Sequence, residues 1–211
     1  MDPSLREIVA CSESMSKDVA ALFEQAGGPK SRRALLTVAM CHVSIEHSIG
    51  QRLLVVHGMN ASAFALVRVH FEASVRAIWL LHAASEEWLE KFSTPLPDGQ
   101  LAEPVLGPSV DAMLETLAKT APPFVAAMLR ELKVGSWQPM NSYVHGGVRP
   151  VAQVLGGYAP YQLASVLRNA NGLVLLVANV FVIANGDPAH RGRIATIQRA
   201  HQACLPPLQD V

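Results

Sequence analysis

The chain has 211 residues, of which 50% are hydrophobic and 16% are charged, and its 17 basic side chains balance 17 acidic ones. This length suits one domain with a single core, and the zero net charge argues against broad DNA binding, which needs a basic face. Typical domains have about a quarter charged residues, so this lean surface predicts a homodimer that covers apolar area.

The helical periodicities, without any long strand-like alternation, predict an all-α fold, a single-domain bundle of about six or seven helices. The core bundle comprises residues 31–185, with a first helix over 4–26 before it and a basic helix over 187–205 after it. Residues 93–108, rich in Pro and Gly, are predicted to form either a lid over a site or a disordered loop. The other predicted helices are 31–57, 60–92, 109–119, 123–134 and 160–186.

The helices 31–57 and 60–92 are joined by a short turn, so we expect them to pack antiparallel at the centre of the bundle. Ser31 is the predicted N-cap of the first of them. Its apolar positions predict a stripe that faces the core. That stripe comprises Leu35, Val38, Ile45, Ile49, Leu53 and Val56.

Arg68, Glu72 and Arg76 follow one another at intervals of four in the second central helix, so they share one helical face. A charge in an apolar wall needs a partner, and arginine suits bidentate pairing with a carboxylate or a phosphate. Folding the chain about position 59 brings His42 and Glu46 level with these residues, so all five could form one polar layer. That layer is either an ion-pair network that fixes packing or a pocket for an anion or nucleotide.

The segment 137–150 follows a helix that we expect to end before Gly135. Asn141 and His145 are four residues apart and share a face on a helical turn, with Tyr143 between them. We expect these three side chains to line the same pocket as the two arginines. Histidine can act as an acid or base near neutral pH, although a hydrogen-bonded structural role is the alternative.

The three cysteines, Cys11, Cys41 and Cys204, are far apart and show no zinc-binding spacing, which predicts three buried or semi-buried thiols without a disulfide or a metal. Phosphate-binding glycine loops and metalloprotease or serine-hydrolase motifs are also absent from the sequence. We therefore expect no cofactor. The N-terminus lacks a signal-peptide pattern, and the most apolar run, 173–184, is too short to span a membrane, so we expect a cytoplasmic protein without membrane contact.

The stretches SAFALVRVHFEASVRAIWLL and NSYVHGG resemble a group of bacterial helical proteins of unknown function in the HEPN-like superfamily. The resemblance implies a helical bundle related to nucleotide- or RNA-associated proteins, several of them from toxin–antitoxin and phage-defence systems. Nuclease members carry an Arg, usually a polar residue, four to six further residues and then a His. His145 fits the last position and is the candidate catalytic residue, but no Arg lies between Arg130 and His145.

Three hypotheses follow from these observations. The first is a non-catalytic, dimeric HEPN-like module that binds a nucleotide, RNA or protein partner in a polar pocket. The second is a metal-independent ribonuclease, a toxin or defence effector, in which His145 transfers protons and Arg68 or Arg76 stabilises developing charge. The third is an interaction protein whose polar layer only fixes packing. Balanced charge and the incomplete nuclease motif favour the first and the third.

Overall fold

The computed structural model describes residues 1–95, 107–186 and 190–207. Within these ranges there are nine α-helices, a short 3-10 helix and no strand, so the all-α prediction is confirmed with more helices than expected. The helices are α1 Pro3–Gln25, α2 Arg32–Val56, α3 Asn60–His82, α4 Glu86–Ser93, α5 Val110–Thr120, α6 Pro123–Val144, α7 Val148–Gly156, α8 Pro160–Asn185, α9 Arg191–Ala200 and the 3-10 helix Gln202–Cys204.

The helices α2 and α3 form an antiparallel pair across a short turn. The hydroxyl oxygens of Ser44 and Ser74 are 2.9 Å apart, and further along the pair Gln51 Nε2 lies 3.3 Å from His70 Nδ1. Residue numbers therefore increase along α2 as the numbers of the contacting residues on α3 decrease. This is the antiparallel register that the sequence predicted. Ser31 caps α2 as expected, because its hydroxyl accepts a hydrogen bond from the Ala34 amide at 3.1 Å.

The core face of α2 matches the predicted apolar stripe only in part, since Val38 and Ile45 pack against the core but the two ends of the stripe do not. Leu35, Leu53 and Val56 are exposed by 57%, 51% and 42%, whereas small and polar residues are buried. Ser44 meets Ser74 and Gln51 meets His70, so the two helices pack together here through small and polar side chains. The buried residues of α2 are Ala34, Thr37, Cys41, Ser44, Ser48, Gln51 and Val55.

The predicted helix 60–92 is two helices, because a new N-terminus begins after Ala84. Ser85 is the N-cap of α4, and its hydroxyl accepts a hydrogen bond from the Trp88 amide at 3.4 Å. Glu86 and Glu87 occupy the first turn, where negative charge is favoured by the helix dipole. These local signals outweigh the apolar periodicity that continues through this segment.

The helix expected to end before Gly135 instead continues as α6 to Val144. A helical glycine costs about 1 kcal/mol, but Leu132, Trp137 and Met140 on the same helix pack against the core and offset that cost. Pro139 cannot donate a hydrogen bond to the carbonyl of Gly135, and Gly135 is an exposed residue of the helix. This extension places Asn141 in the last helical turn.

The apolar helix α8 runs through the bundle and contacts α1, α2 and α3. Its length and mean hydropathy of 1.8 would suffice to cross a membrane, but 67% of its most apolar window is buried inside the bundle. Burial by its own chain agrees with the predicted core helix. The predicted lid or loop falls mostly on 96–106, outside the described residues.

The C-terminal segment returns to the first helix. α9 and the 3-10 helix replace the predicted single helix 187–205, of which 187–189 lie outside the described residues. Cys11 on α1 and Cys204 form a disulfide, so the prediction of three thiols is wrong. Both segments pack on α8, which brings together cysteines that are 193 positions apart and that spacing alone could not pair. Cys41 is a buried thiol.

Candidate functional site

One face of α6 carries Trp137, Asn141 and His145 at intervals of four residues. Residues so spaced lie above one another on a helix, and α6 packs this part of its surface against α3. The side chain on α3 that meets them is Arg68. The extension of α6 to Val144 therefore creates the contact between the two stretches that the sequence singled out.

The guanidinium group of Arg68 is held by four neighbours. Its Nε donates a hydrogen bond to Glu72 Oε1 at 2.7 Å, and Nη1 donates to Asn141 Oδ1. The same Nη1 lies 3.3 Å from His145 Nε2. The guanidinium carbon is 4.7 Å from the centre of the Trp137 ring, within the range of a cation–π contact. We call these five residues the Arg68 cluster.

The Arg68 cluster is half-buried rather than enclosed. The side chain of Arg68 is 24% exposed, that of Glu72 is 30% exposed, and His145 is exposed. The predicted Arg68–Glu72 ion pair is present, but it is less buried than expected because α6 covers only one side of it. The Glu72 carboxylate offsets the charge of Arg68, so an incoming anion would compete with this carboxylate for the guanidinium.

Tyr143 lies apart from the Arg68 cluster. Its ring packs against Phe64 with 4.9 Å between ring centres, whereas Asn141 and His145 on the same helix meet Arg68. Burial first, and then the neighbouring Tyr158, raise the pKa of Tyr143 to about 12. Its hydroxyl therefore remains protonated at neutral pH and cannot serve as a base there.

Arg76 is also separate from the cluster, since eight residues along α3 correspond to about 12 Å. Its guanidinium carbon lies 5.6 Å from the centre of the Phe92 ring. The backbone of Gly107 passes close beside it with a φ of +82°, and a side chain at this glycine would collide with the guanidinium. Arg76 therefore belongs to the contact between α3, α4 and the segment before α5.

His42 and Glu46 do not join the polar layer that the register suggested. Both are exposed on the outer face of α2, opposite the buried Ser44 and Ser48. The His42 ring instead meets Phe23 edge-on, at 5.5 Å between ring centres. The prediction placed these residues at the correct height along the pair but on the wrong side of the helix.

Two further members of this region were missed in the sequence. Trp137 stacks on Arg68 from one side, and Lys133 Nζ lies 4.9 Å from the centre of the same ring while pairing with Asp111. The signal was the four-residue spacing that links Lys133, Trp137, Asn141 and His145. The predicted helix end at Gly135 concealed it.

A polar pair that the sequence did not indicate lies in the core between α2 and α3. His70 is 1% exposed and Gln51 is 1% exposed, and both border a cavity of ≈ 30 Å³ between α3, α6 and α8. Burial, with a smaller effect of His47, lowers the pKa of His70 to about 3. His70 is therefore neutral near pH 7, and Gln51 is the neighbour that contacts its ring nitrogen.

Comparison with known proteins places the chain by sequence. Residues 41–207 match the model of a family of unknown function, DUF6988. The chain belongs to this family. No curated protein and no solved structure gives a significant match. In this DUF6988 protein the matched segment contains the whole Arg68 cluster and Cys204, whereas α1 with Cys11 precedes it.

Proposed function

We propose that this DUF6988 protein is a non-catalytic, HEPN-like helical module that binds a phosphate-bearing ligand, a nucleotide or short RNA, at the Arg68 cluster. The observation that carries this proposal is the braced, partly exposed guanidinium of Arg68. Glu72, Asn141 and Trp137 fix its position, and arginine held in this way is suited to phosphate recognition. The resemblance of the two quoted stretches to nucleotide- and RNA-associated bundles supports the same ligand class.

The electrostatics of the cluster favour binding over catalysis. Phosphoryl chemistry requires cations whose charge is directed at the developing negative charge. Glu72 accepts a hydrogen bond from Arg68 at 2.7 Å and offsets its charge, and Arg76 lies two helical turns away. A single, partly neutralised arginine is suited to holding a phosphate with modest affinity.

A ribonuclease is the second candidate, and one distance favours it. Arg68 Nη1 and His145 Nε2 are 3.3 Å apart, so the folded chain pairs an arginine with the histidine that lacks one in sequence. In this mechanism a 2′-hydroxyl attacks the adjacent phosphate and expels the 5′-oxygen of the next nucleotide, which leaves a 2′,3′-cyclic phosphate. His145 carries the proton from the 2′-hydroxyl to the departing 5′-oxygen, and Arg68 stabilises the negative charge on the phosphate. A cleavage assay on short RNAs tests it: His145→Ala should abolish cleavage while RNA binding persists, and uncleaved RNA with wild type excludes this candidate.

Ligand binding should respond in opposite directions to two substitutions in the cluster. Arg68→Ala should weaken the binding of short RNA or nucleotide about tenfold to a hundredfold, the usual range for a charged hydrogen bond. Glu72→Gln should strengthen it severalfold, because the competing negative charge is removed. Titration calorimetry measures both, with Arg199→Ala on the exposed surface of α9 as the matched control.

Removal of the His145 imidazole provides a separate check on the cluster. Because Arg68 Nη1 lies 3.3 Å from His145 Nε2, His145→Ala should weaken ligand binding, but less than Arg68→Ala does, since the guanidinium and its other three neighbours remain in place. Circular dichroism shows whether each variant remains folded. Equal affinities for wild type, Arg68→Ala and Glu72→Gln would exclude the Arg68 cluster as the binding site.

We also propose a homodimer formed through the outer face of α7. Val148, Val151, Val154 and Leu155 on this helix are exposed by 83%, 57%, 69% and 83%. A cluster of apolar side chains on one short helix is typical of a surface that another protein covers. Because α7 follows His145 after only two glycines, this interface would lie beside the Arg68 cluster.

Charge on this face should dissociate the dimer. The double variant Val151→Glu with Leu155→Glu should sediment as a 22.7 kDa species, whereas wild type should sediment at twice that mass. Leu35→Glu, at a residue of α2 that is 57% exposed, is the matched control and should remain dimeric. A wild-type monomer at micromolar concentration contradicts the proposal, and dissociation by Leu35→Glu alone would move the interface to α2.

A further inference from the structure

Three potential metal ligands meet where the C-terminal segment packs on α1. They are far from the Arg68 cluster in sequence. They are Cys11, His201 and Cys204, and their ligand atoms all lie within 4.8 Å of one another. Cys204 and His201 are buried, with exposures of 0% and 7%, and Cys11 is partly buried. We call these three residues, together with Asp18, the thiol site.

The imidazole of His201 is oriented in the way that metal-binding histidines are. Its Nδ1 lies 3.8 Å from Cys11 Sγ, and its Nε2 lies 2.6 Å from Asp18 Oδ2. A carboxylate on one ring nitrogen directs the lone pair of the other nitrogen toward a metal. Sulfur and nitrogen ligands of one zinc ion lie roughly 3.5–3.8 Å apart, given bond lengths near 2.3 and 2.1 Å.

The segments that carry the two cysteines are held together by contacts other than the disulfide. Asn171, buried in α8, donates one hydrogen bond to Ser12 Oγ and another to the Cys204 carbonyl, both at 2.7 Å. Pro206 packs so closely on Gly172 that a Cβ there would lie 3.1 Å from the proline ring. The two sulfur atoms therefore stay near each other when the bond between them is reduced.

We propose that the reduced thiol site binds a zinc ion. Cys11 and Cys204 bind as thiolates, His201 binds through Nδ1, and Asp18 accepts the hydrogen bond from Nε2. Two thiolates and one imidazole are a ligand set that zinc prefers over magnesium or calcium, and a water completes the tetrahedron on the partly exposed side of Cys11. In the cytoplasm, where we propose that the protein acts, thiols are kept reduced, and zinc binding releases their protons.

Zinc titration of the reduced protein tests this proposal. Protein treated with a phosphine reductant should bind one zinc per chain with a sub-micromolar Kd, measured by competition with a chromophoric chelator. Cobalt in place of zinc should produce sulfur-to-cobalt charge-transfer absorption, which only thiolate ligands give. The oxidised protein, in which both sulfur atoms are in the disulfide, should bind neither ion.

Variants assign the ligands. Cys204→Ser and His201→Ala should lose the zinc, and Asp18→Asn should retain the stoichiometry while weakening affinity about tenfold to a hundredfold. Asp18 is 53% exposed, so this last variant keeps the fold and remains informative if the others do not. Cys41→Ala, which removes a thiol elsewhere in the core, is the control and should bind zinc as wild type does. Absence of zinc binding by reduced wild type, or unchanged affinity in Asp18→Asn, would overturn the proposal.

Discussion

Reduction of the Cys11–Cys204 disulfide should lower the free energy of unfolding of the metal-free protein by about 2–5 kcal/mol. The two cysteines are 193 residues apart, so the bond restricts nearly the whole unfolded chain. In the chain-entropy model, the unfolded state gains conformations when this closed loop is opened, and the folded state gains few because Asn171 still holds both segments.

Urea unfolding with a chelator present, with and without a phosphine reductant, measures this difference. The double variant Cys11→Ala with Cys204→Ala should unfold at one midpoint under both conditions, because its remaining cysteine, Cys41, has no partner for a disulfide within the chain. Identical wild-type midpoints with and without reductant would contradict the prediction. Zinc added to the reduced protein should recover stability, and the gain should grow with the logarithm of the free zinc concentration above its Kd, because zinc binds the folded thiol site.

Acidification should destabilise the fold through His70. Its folded-state pKa is about 3, against about 6.5 in an unfolded chain, so between these pH values the unfolded state binds one more proton. Stability contributed by the neutral, buried imidazole is complete above pH 6.5 and is lost as pH falls toward 3. At pH 5 the contribution of this one group should be about 2 kcal/mol smaller than at pH 7.

Two histidine variants separate the contribution of His70 from that of carboxylates, which also take up protons at acidic pH. His70→Gln keeps an amide opposite Gln51 but cannot take up a proton, so its stability should fall less steeply between pH 7 and 5. His42→Gln, at an exposed position of α2, should keep the wild-type slope. Parallel stability curves for wild type and His70→Gln would show that the buried imidazole is not responsible.

Helix caps and the pairing of helices across short turns could be predicted from the sequence, because local residue patterns determine them. Ser31 was predicted as the N-cap of α2 and is its N-cap, and the short turn before Asn60 set the antiparallel register of α2 and α3. The rotation of α2 was not predictable from its own apolar residues. Its buried face is set by its packing against both α3 and α8, so Ser44 and Ser48 lie inside while Leu53 lies outside.

In the Arg68 cluster, too, local spacing predicted some contacts and tertiary packing determined the others. The four-residue spacing of Arg68 and Glu72 gave their ion pair, and the spacing of Asn141 and His145 gave their shared face. The contact of Trp137 with Arg68 requires α6 to continue past Gly135. Tertiary packing, which the local sequence does not show, stabilises this continuation. The Cys11–Cys204 bond joins opposite ends of the sequence and left no local signal.

The position of α1 has a practical consequence for recombinant work on DUF6988 proteins. Sequence similarity to the family begins at residue 41, nine residues into α2, yet α1 supplies fully buried core residues such as Met15 and Leu22. A fragment cloned from that boundary would begin inside a helix, uncover the side of α8 that α1 packs against, and leave Cys204 without its partner. Expression boundaries for this protein should therefore follow the folded unit and include α1.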